Sequence, residues 1–433
     1  MKIFADLHIH SKYARATSKN MDLENLSKFG KIKGLNLIGT GDFTHPRWLE
    51  ELKNKLKPIE DSGIFSFDGM KFMLTTEVST VYEQDNKMRK IHHLLHVPSF
   101  EIVDQINEQL KKMGGKLDID GRLLLSEKNS VEFVEAITSI YNDTLIVPAH
   151  VWTPWFSLFG SKSGFDRVED CYQDQTKYIY ALETGLSSDP EMNWRLSSLD
   201  KFALMSNSDC HSAWPWRLGR ECNVFNLNEI TYWEILDTIR KKDKDRFLFT
   251  VEVNPAYGKY HWTGHRNHNI SLSPKQALKL NDICPVCHRK LTVGVEERVE
   301  ELADREEGFV PKDAIPFKDL LPLFELINVA TGTDSLYSKS SWSVYNKLIQ
   351  NFGNEFNILL DVPREELEKV IEKKFVDIII ENREGKIKII PGYDGVYGKP
   401  VFDEEEFKQH EEKQKNLKIY PQKRLIDFKG PVV

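Results

Sequence analysis

Asp6-Leu7-His8-Ile9-His10-Ser11 ends an apolar, β-type run at the N-terminus, and Asp209-Cys210-His211 follows a second such run, Phe202-Ala203-Leu204-Met205. Side chains alternate across a strand, so His8 and His10 project to one side. Asp209 and His211 do the same, and Cys210 between them turns away into packing. Imidazoles and a carboxylate presented in this way have the donor set of a metal site. The apolar runs between these two motifs end similarly. Asp42 and His45 follow residues 35–38, Glu77 follows Phe72-Met73-Leu74, His92-His93 lies within residues 91–95, and His150 follows Leu145-Ile146-Val147. One such histidine is more often a satisfied core residue, but an ordered series of His, Asp and Glu clusters is not explained by that reading.

Working outward, apolar runs at residues 2–9, 35–40, 71–78, 91–97, 144–149, 178–183 and 202–206 read as strands. Helical periodicity falls between them at residues 22–29, 48–56, 100–113 and 131–141. About seven β/α repeats predict a closed, TIM-like parallel barrel with its functional side chains at the C-terminal strand ends.

At 433 residues the chain exceeds the size at which one core stops growing, so two or three domains are expected. No apolar stretch is long enough to span a bilayer, and the N-terminus runs straight into a strand, so a cytoplasmic protein with no membrane partner is expected. Five cysteines with one close pair fit a reducing compartment rather than a disulfide framework. The net charge of −7 does not by itself suggest a nucleic-acid binder. Locally, however, Lys12, Arg15 and Lys19 follow the first motif, and Arg217 and Arg220 follow the last, where cations are placed to hold phosphates. The cluster Lys241, Lys242, Lys244 and Arg246 reads as solvated surface.

The motifs Asp6 to His10, Asp42, Glu77, His93, His150 and Asp209-Cys210-His211 resemble those of the polymerase and histidinol phosphatase (PHP) family. The resemblance implies a distorted seven-stranded β/α barrel over residues 1–250 holding two or three divalent metals. It also implies His8, His10, Asp42 or His45, Glu77, His93, His150, Asp209 and His211 as ligands. That family usually carries Asp-His in its second motif, whereas Asp42-Phe43 stands here with His45 two positions on. Such a cluster performs phosphoester hydrolysis, with Glu77 the natural bridge and Glu77, Asp209 and His211 the catalytic set. Zinc, manganese, magnesium or iron would suit these ligands.

Beyond residue 250, His265-Arg266-Asn267-His268 precedes Cys284-Pro285-Val286-Cys287, which has the ligand count and spacing of a structural zinc knuckle. His261 and His288 are the substitutes. The knuckle, its continuation through residues 291–305, Glu183 to Pro190, and Pro391 to Gly398 resemble endonuclease Q over nearly the whole chain. The resemblance implies three segments: the barrel, a zinc-binding module at 251–305 and a mainly helical region at 306–433. It further implies nicking of double-stranded DNA on the 5′ side of deaminated bases such as uracil, hypoxanthine and xanthine, and at abasic sites. His268 stands where cysteine is expected in relatives, and imidazole can replace thiolate at zinc.

Reading a damaged base requires flipping it out of the duplex, which calls for flat apolar surfaces and a few polar groups near the metals. Trp152, Trp155, Trp214 and Trp216 lie on strand-end loops and are candidates, as are Glu183 and Ser187, alongside Lys12, Arg15, Arg217 and Arg220 for DNA contact. Glu183 is equally suited to orienting a metal ligand. Helical patterns at 310–326, 340–352 and 364–374, then a charged surface helix or tail at 403–418, complete the chain. Two other readings compete: a small-molecule phosphatase of the histidinol phosphate type, and a non-catalytic, metal-stabilised DNA-binding scaffold. Repair or replication proteins are conceivable partners, though no docking peptide stands out.

Overall fold

The computed structural model describes residues 1–333, 335–402 and 404–415, with the side chains of 411, 413 and 415 excepted. By contacts the chain divides into two units: residues 1–254 with 304–386, and residues 255–303 with 387–433. The expected limits at 250 and 305 lie beside the first two of these, whereas residues 306–386 group with the first unit and those from 387 onward with the second.

The first unit is a mixed α/β structure around a central sheet. Its strands are β1 (Lys2–Asp6), β2 (Leu37–Gly39), β3 (Met70–Gln84), β4 (Lys87–Val97), β5 (Leu145–Pro148), β6 (Ala181–Glu183), β7 (Ala203–Met205), β8 (Cys222–Asn226) and β9 (Phe247–Glu252). Pairing runs β1-β2-β3-β4-β5, and β6 pairs with β7. Isolated bridges join Ile146 to Ile179 and Ile9 to Cys210. Strands β8 and β9 extend the sheet from β1 in antiparallel fashion. Ile3, Ala5, Leu37, Met73, Leu94, Val147, Ala181, Ala203 and Met205 share one buried apolar core, which is why these runs are apolar rather than alternating.

The all-parallel expectation fails at β4. Asp85 and Asn86 both adopt positive φ, at 54° and 56°, and Gln84 pairs with Lys87, so β3 and β4 form a tight hairpin. Mirror-image two-residue turns of this kind need left-handed residues, which Asp and Asn tolerate. β4 therefore runs antiparallel to both β3 and β5.

Amide side chains stitch β1 to β7 and β8. The Leu7 amide donates to Asn207 Oδ1 at 2.8 Å, and Asn223 Nδ2 donates to Ser206 O at 2.8 Å and to Ala5 O at 3.3 Å. Residues 310–322 are not the expected helix: Pro311, Pro316 and Pro322 interrupt it, and Phe317–Asp319 pairs with β9 instead. Helices Leu323–Thr331, Lys339–Phe352, Glu355–Leu360, Arg364–Glu368 and Lys373–Arg383 follow. Lys33, 1% exposed, joins them to helix Leu23–Lys33 beside the central sheet through Glu355 Oε1 at 2.7 Å.

In the second unit, strands Thr263–His265 and Ile270–Leu272 pair around a small core of Leu272, Ala277, Leu280, Cys284 and Leu291. The charged C-terminal stretch forms helix Glu404–Lys415, and residues 416–418 lie outside the described residues. Among the described residues no helix is long and apolar enough to cross a membrane.

Candidate metal centres

Two triads of donor atoms meet in the first unit: His8, His10 and Asp209, which follow β1 and β7, and Glu77, His92 and His150, of which Glu77 and His92 lie within β3 and β4 and His150 follows β5. Asp209 Oδ1 lies 3.5 Å from His8 Nε2 and 3.1 Å from His10 Nε2. Glu77 Oε1 lies 2.5 Å from His92 Nδ1 and 3.3 Å from His150 Nε2, and the same carboxylate reaches His10 Nε2 through Oε2 at 3.5 Å. Glu77 is thus the side chain that touches both triads. The edges of 3.1–3.5 Å are what donors about 2.0–2.2 Å from a shared ion produce, whereas the 2.5 Å approach of Glu77 to His92 is shorter than such an edge. His8 Nε2, His10 Nε2, Glu77 Oε2 and Asp209 Oδ1 are buried without a hydrogen-bond partner. Orphaned buried donors and acceptors are costly, and a divalent cation would satisfy all four.

A layer of carboxylates behind the triads fixes the imidazoles. Both Glu183 oxygens stand 3.0 Å from His8 Nδ1, and Glu183 also accepts from the His150 amide at 2.8 Å and Asn207 Nδ2 at 2.8 Å. Asp42 Oδ1 accepts from His10 Nδ1 at 3.0 Å, while its Oδ2 accepts from the Ser11 amide and hydroxyl at 2.5 and 2.7 Å. Holding the proton on Nδ1 leaves each Nε2 lone pair facing the cluster, the usual tautomer of a metal-bound histidine. Burial alone would depress His8, but Glu183, then Asp209 and Glu77, raise it to about 9. Burial likewise opposes ionisation of Asp209 and Glu77, yet the surrounding histidines hold both carboxyls well below the usual range. Asp42, His150 and Asp209 all adopt positive φ, at 49°, 30° and 45°. Such backbone is sparsely populated outside glycine and persists where surrounding contacts enforce it. A Cβ on Gly185 would stand 2.7 Å from His150 Cβ, so this glycine gives His150 room.

The structure redistributes several expected roles. His92, not His93, enters the cluster. Directly opposed residues of antiparallel strands share a face, and the pairs Ser79–His92 and Val78–His93 put His92 on the side of Glu77 and His93 on the other. His93 is bound instead by Thr80 Oγ1 and the Tyr172 hydroxyl, each at 3.0 Å, and burial drives it down to about 3. Neither Asp42 nor His45 joins a triad: Asp42 supports His10, and His45 stands at the N-terminal boundary of helix Pro46–Lys55 without a side-chain cap and stacks on Tyr13. His211 stands at the rim, 30% exposed, with its ring 4.6 Å from that of His10 and Nδ1 donating to Asp209 O at 3.0 Å. Cys210 is buried, as alternation requires.

Of the expected DNA contacts, Glu183 is fully buried behind His8, and Ser187 is also buried. Trp152 is 1% exposed and donates to Asn193 Oδ1 at 2.8 Å, so it packs instead of stacking on a base. Arg220 is tied to Ser208 O at 2.9 Å. Arg15 is exposed, Lys12 pairs with Glu51 at 2.9 Å, and Arg217 pairs with Glu325 at 3.3 Å. Trp155, on the loop after His150, remains 40% exposed.

The face assignment has a direct test. His92→Ala should lower the metal content and activity of the purified protein and leave its thermal midpoint nearly unchanged. His93→Ala should do the opposite, costing about 2–4 kcal/mol through a cavity and two unpaired hydroxyls while metal content holds. Elemental analysis and a melt of each variant check this.

In the second unit, His265, His268, Cys284 and Cys287 bring their donor atoms within 4.8 Å of one another. His265 Nδ1 and His268 Nδ1 are 3.0 Å apart, Cys284 Sγ is 3.5 Å from His268 Nδ1, and Cys287 Sγ is 3.5 Å from His265 Nδ1. A tetrahedral zinc with about 2.0–2.3 Å bonds requires edges of about 3.3–3.8 Å, close to these values. Burial opposes ionisation of Cys284, but donors from the Cys287 amide and then His265 bring its thiol down to about 6.

Comparison with known proteins follows from this geometry. Residues 322–386 match the family model described as the MJ0043 C-terminal domain. Over 253 residues, 58% of this chain, the sequence is 36% identical to protein MJ0043 of Methanocaldococcus jannaschii, and the match spans 31% of that protein's length. Over 415 residues it is 26% identical to protein YqxK of Bacillus subtilis, covering 92% of this chain and 99% of the relative. The crystal structure of the lesion-specific endonuclease PfuEndoQ from Pyrococcus furiosus matches with a TM-score of 0.83 and 35% identity, covering 97% of this chain and 100% of that one. Endonuclease Q in complex with a 27-mer duplex substrate bearing an abasic lesion at the active site matches with the same TM-score of 0.83 and 35% identity, over 94% and 98% of the two chains.

Proposed function

The chain belongs to the endonuclease Q family, and from that premise we propose that it is a metal-dependent DNA repair endonuclease that hydrolyses the backbone beside a damaged nucleotide. The single observation that carries this reading is Glu77, whose carboxylate touches both triads of orphaned, inward-facing donors. Divalent ions bound at these donors would supply an activated water and charge stabilisation at the reacting phosphate. The residues of the chain do the rest. His8, His10 and Asp209 would hold one ion, and His92 and His150 the other, with Glu77 between them. Glu183 and Asp42 keep the Nδ1 protons of His8 and His10 in place, so that both rings present a lone pair. His211 and Asp209, each about one-third exposed, form the side of the cluster that a phosphate can approach.

The relative seen with an abasic duplex supports damaged double-stranded DNA as the substrate class. Within it we assign deaminated bases (uracil, hypoxanthine and xanthine) as well as abasic sites, with the cut on the 5′ side. We read β1 to β7 as the distorted seven-stranded barrel of the PHP type, because isolated bridges link the β5 and β6 segments through Ile146 and Ile179 and the β1 and β7 segments through Ile9 and Cys210. The His265, His268, Cys284 and Cys287 knuckle is assigned one structural zinc, and Lys12, Arg15 and Arg217 are assigned backbone contacts. Duplexes carrying each lesion, matched undamaged duplexes and histidinol phosphate test the substrate assignment. Nicks confined to the lesion strand, 5′ of the lesion, are expected. Release of inorganic phosphate from histidinol phosphate without any nicking would favour the phosphatase reading, and lesion binding without cleavage would favour the scaffold.

A further inference from the structure

Arg122 has no part in the metal-binding geometry, yet it occupies an informative position. The strand Leu123–Ser126 pairs in parallel with β3, beginning with Leu123 opposite Val78. Arg122 is the residue immediately before this strand, in the bend that leads into it, and continuing the register by one step would set it opposite Glu77, on the face of Glu77 and His92. Burial follows the same alternation. Leu123 and Leu125 are 1% and 0% exposed on the opposite face, whereas Leu124, on the face of Ser79 and Glu77, is 50% exposed. The metal-bearing face therefore opens to solvent at this point, with Arg122 between that opening and Glu77.

Local contacts hold the residue there. The Arg122 and Arg15 amides both donate to Asp120 Oδ1, at 3.1 and 3.0 Å, and Gly121 donates to Tyr13 O at 3.2 Å. A Cβ on Gly121 would fall 2.5 Å from Asp42 Oδ2, so only glycine lets this loop lie directly against the carboxylate that supports His10. The Arg122 guanidinium, by contrast, is left available. Among the described residues its side chain makes one hydrogen bond, to Arg15 O at 3.5 Å, and it has no carboxylate partner. Its positive charge is felt by both His92 and His211, which stand on different sides of the cluster. An arginine without a carboxylate partner has its planar fork free for another oxyanion.

We propose that Arg122 is a catalytic residue which binds a non-bridging oxygen of the scissile phosphate and stabilises the charge that gathers there in the transition state; this rests on the endonuclease reading above. In the reaction the oxygen of water bonds to phosphorus and the P–O bond to one sugar breaks. One proton of the water goes to solvent, and the departing sugar oxygen takes up another. Arg122 neither gives nor takes a proton, since guanidinium stays charged throughout. It supplies a fixed, bidentate cation in a partly dry site, where removing one such donor typically costs about 100- to 1,000-fold in rate.

The test compares wild type, Arg122→Ala and Arg122→Lys in single-turnover cleavage of an abasic-site duplex, with metal content and duplex affinity measured on the same preparations. Arg122→Ala should lose about 100-fold or more in the chemical step, and Arg122→Lys should recover part of it, at unchanged metal content. Sulfur substituted for either non-bridging oxygen of the scissile phosphate gives the second readout. For one of the two diastereomers, the Arg122→Ala and sulfur effects should fail to add, as expected when both remove one contact. Cleavage by Arg122→Ala within threefold of wild type, or additive effects with both diastereomers, overturns the role of Arg122. A wild-type protein that does not cut the lesion duplex overturns the endonuclease reading as well.

Discussion

Glu77→Gln lowers lesion-dependent nicking by about a thousandfold or more, the largest effect expected of any single isosteric change in this chain. The substitution keeps shape and volume but replaces an anionic oxygen with an amide nitrogen that cannot ligate a cation. The carboxylate is 2% exposed and reaches His92, His150, His8 and His10 at 2.5, 3.3, 3.8 and 3.5 Å, so its loss is felt by both triads. The fold should survive, because the partners of Glu77 are metal-capable side chains rather than the apolar core beneath them. Metal content should fall together with rate while circular dichroism and the melting midpoint stay close to wild type. Near-normal nicking with full metal content would remove Glu77 from its bridging place.

The second large effect concerns the knuckle. Changing Cys284 and Cys287 together to serine should release one equivalent of zinc and unfold the surrounding module. Its core is Leu272, Ala277, Leu280, Cys284 and Leu291, too few apolar side chains to order such a segment unaided. Zinc binding to comparable sites contributes about 10–16 kcal/mol of apparent folding free energy. Hydrogen exchange should therefore accelerate across residues 263–291 while β1 to β7 keep their protection. The pH dependence follows from the Cys284 thiol. With its pKa near 6, chelator-stripped protein should take zinc readily at pH 7, where the thiolate predominates, and poorly at pH 5, where a proton must first be displaced. Unchanged zinc content in the double variant would refute the knuckle.

Much of this site is visible in the sequence, because each of the apolar runs is followed closely by a donor, although β3 continues past Glu77 to Gln84. His8, His10, Glu77, His150 and Asp209 follow from that rule alone. It fails at residue 92, where the chain returns as a hairpin strand. There the choice between His92 and His93 depends on register, which the Asp85-Asn86 turn fixes and apolar patterning does not. The donor set of His265, His268, Cys284 and Cys287 is legible from spacing, since all four sit on two short, local segments.

The supporting residues are harder to read. For Glu183 the sequence leaves substrate contact and ligand orientation equally open, and its burial behind His8 favours the positioning role. Asp42 stands in a ligand motif, yet its oxygens are consumed by His10 and Ser11. Arg122 carries no motif at all, and its place just ahead of the strand that pairs with β3 depends on a pairing of residues far apart in sequence. Tryptophans mislead for a related reason: Trp152 and Trp155 sit on one loop, but the first is buried against Phe159 and the second is exposed. The helical expectation at 310–326 overlooks the three prolines that break its first part.

The central claim is that this chain uses the metal cluster around Glu77 to cut DNA beside a lesion. It is tested most directly by stripping the purified protein with chelator and restoring manganese, zinc or magnesium in turn, with a strand-labelled duplex carrying one abasic site as substrate. The account predicts no cleavage by stripped protein, recovery with at least one of these ions, a single nick on the lesion strand, and no cleavage of the same duplex without the lesion. Equal cleavage of damaged and undamaged duplex, or cutting that persists after the metals are removed, would contradict it.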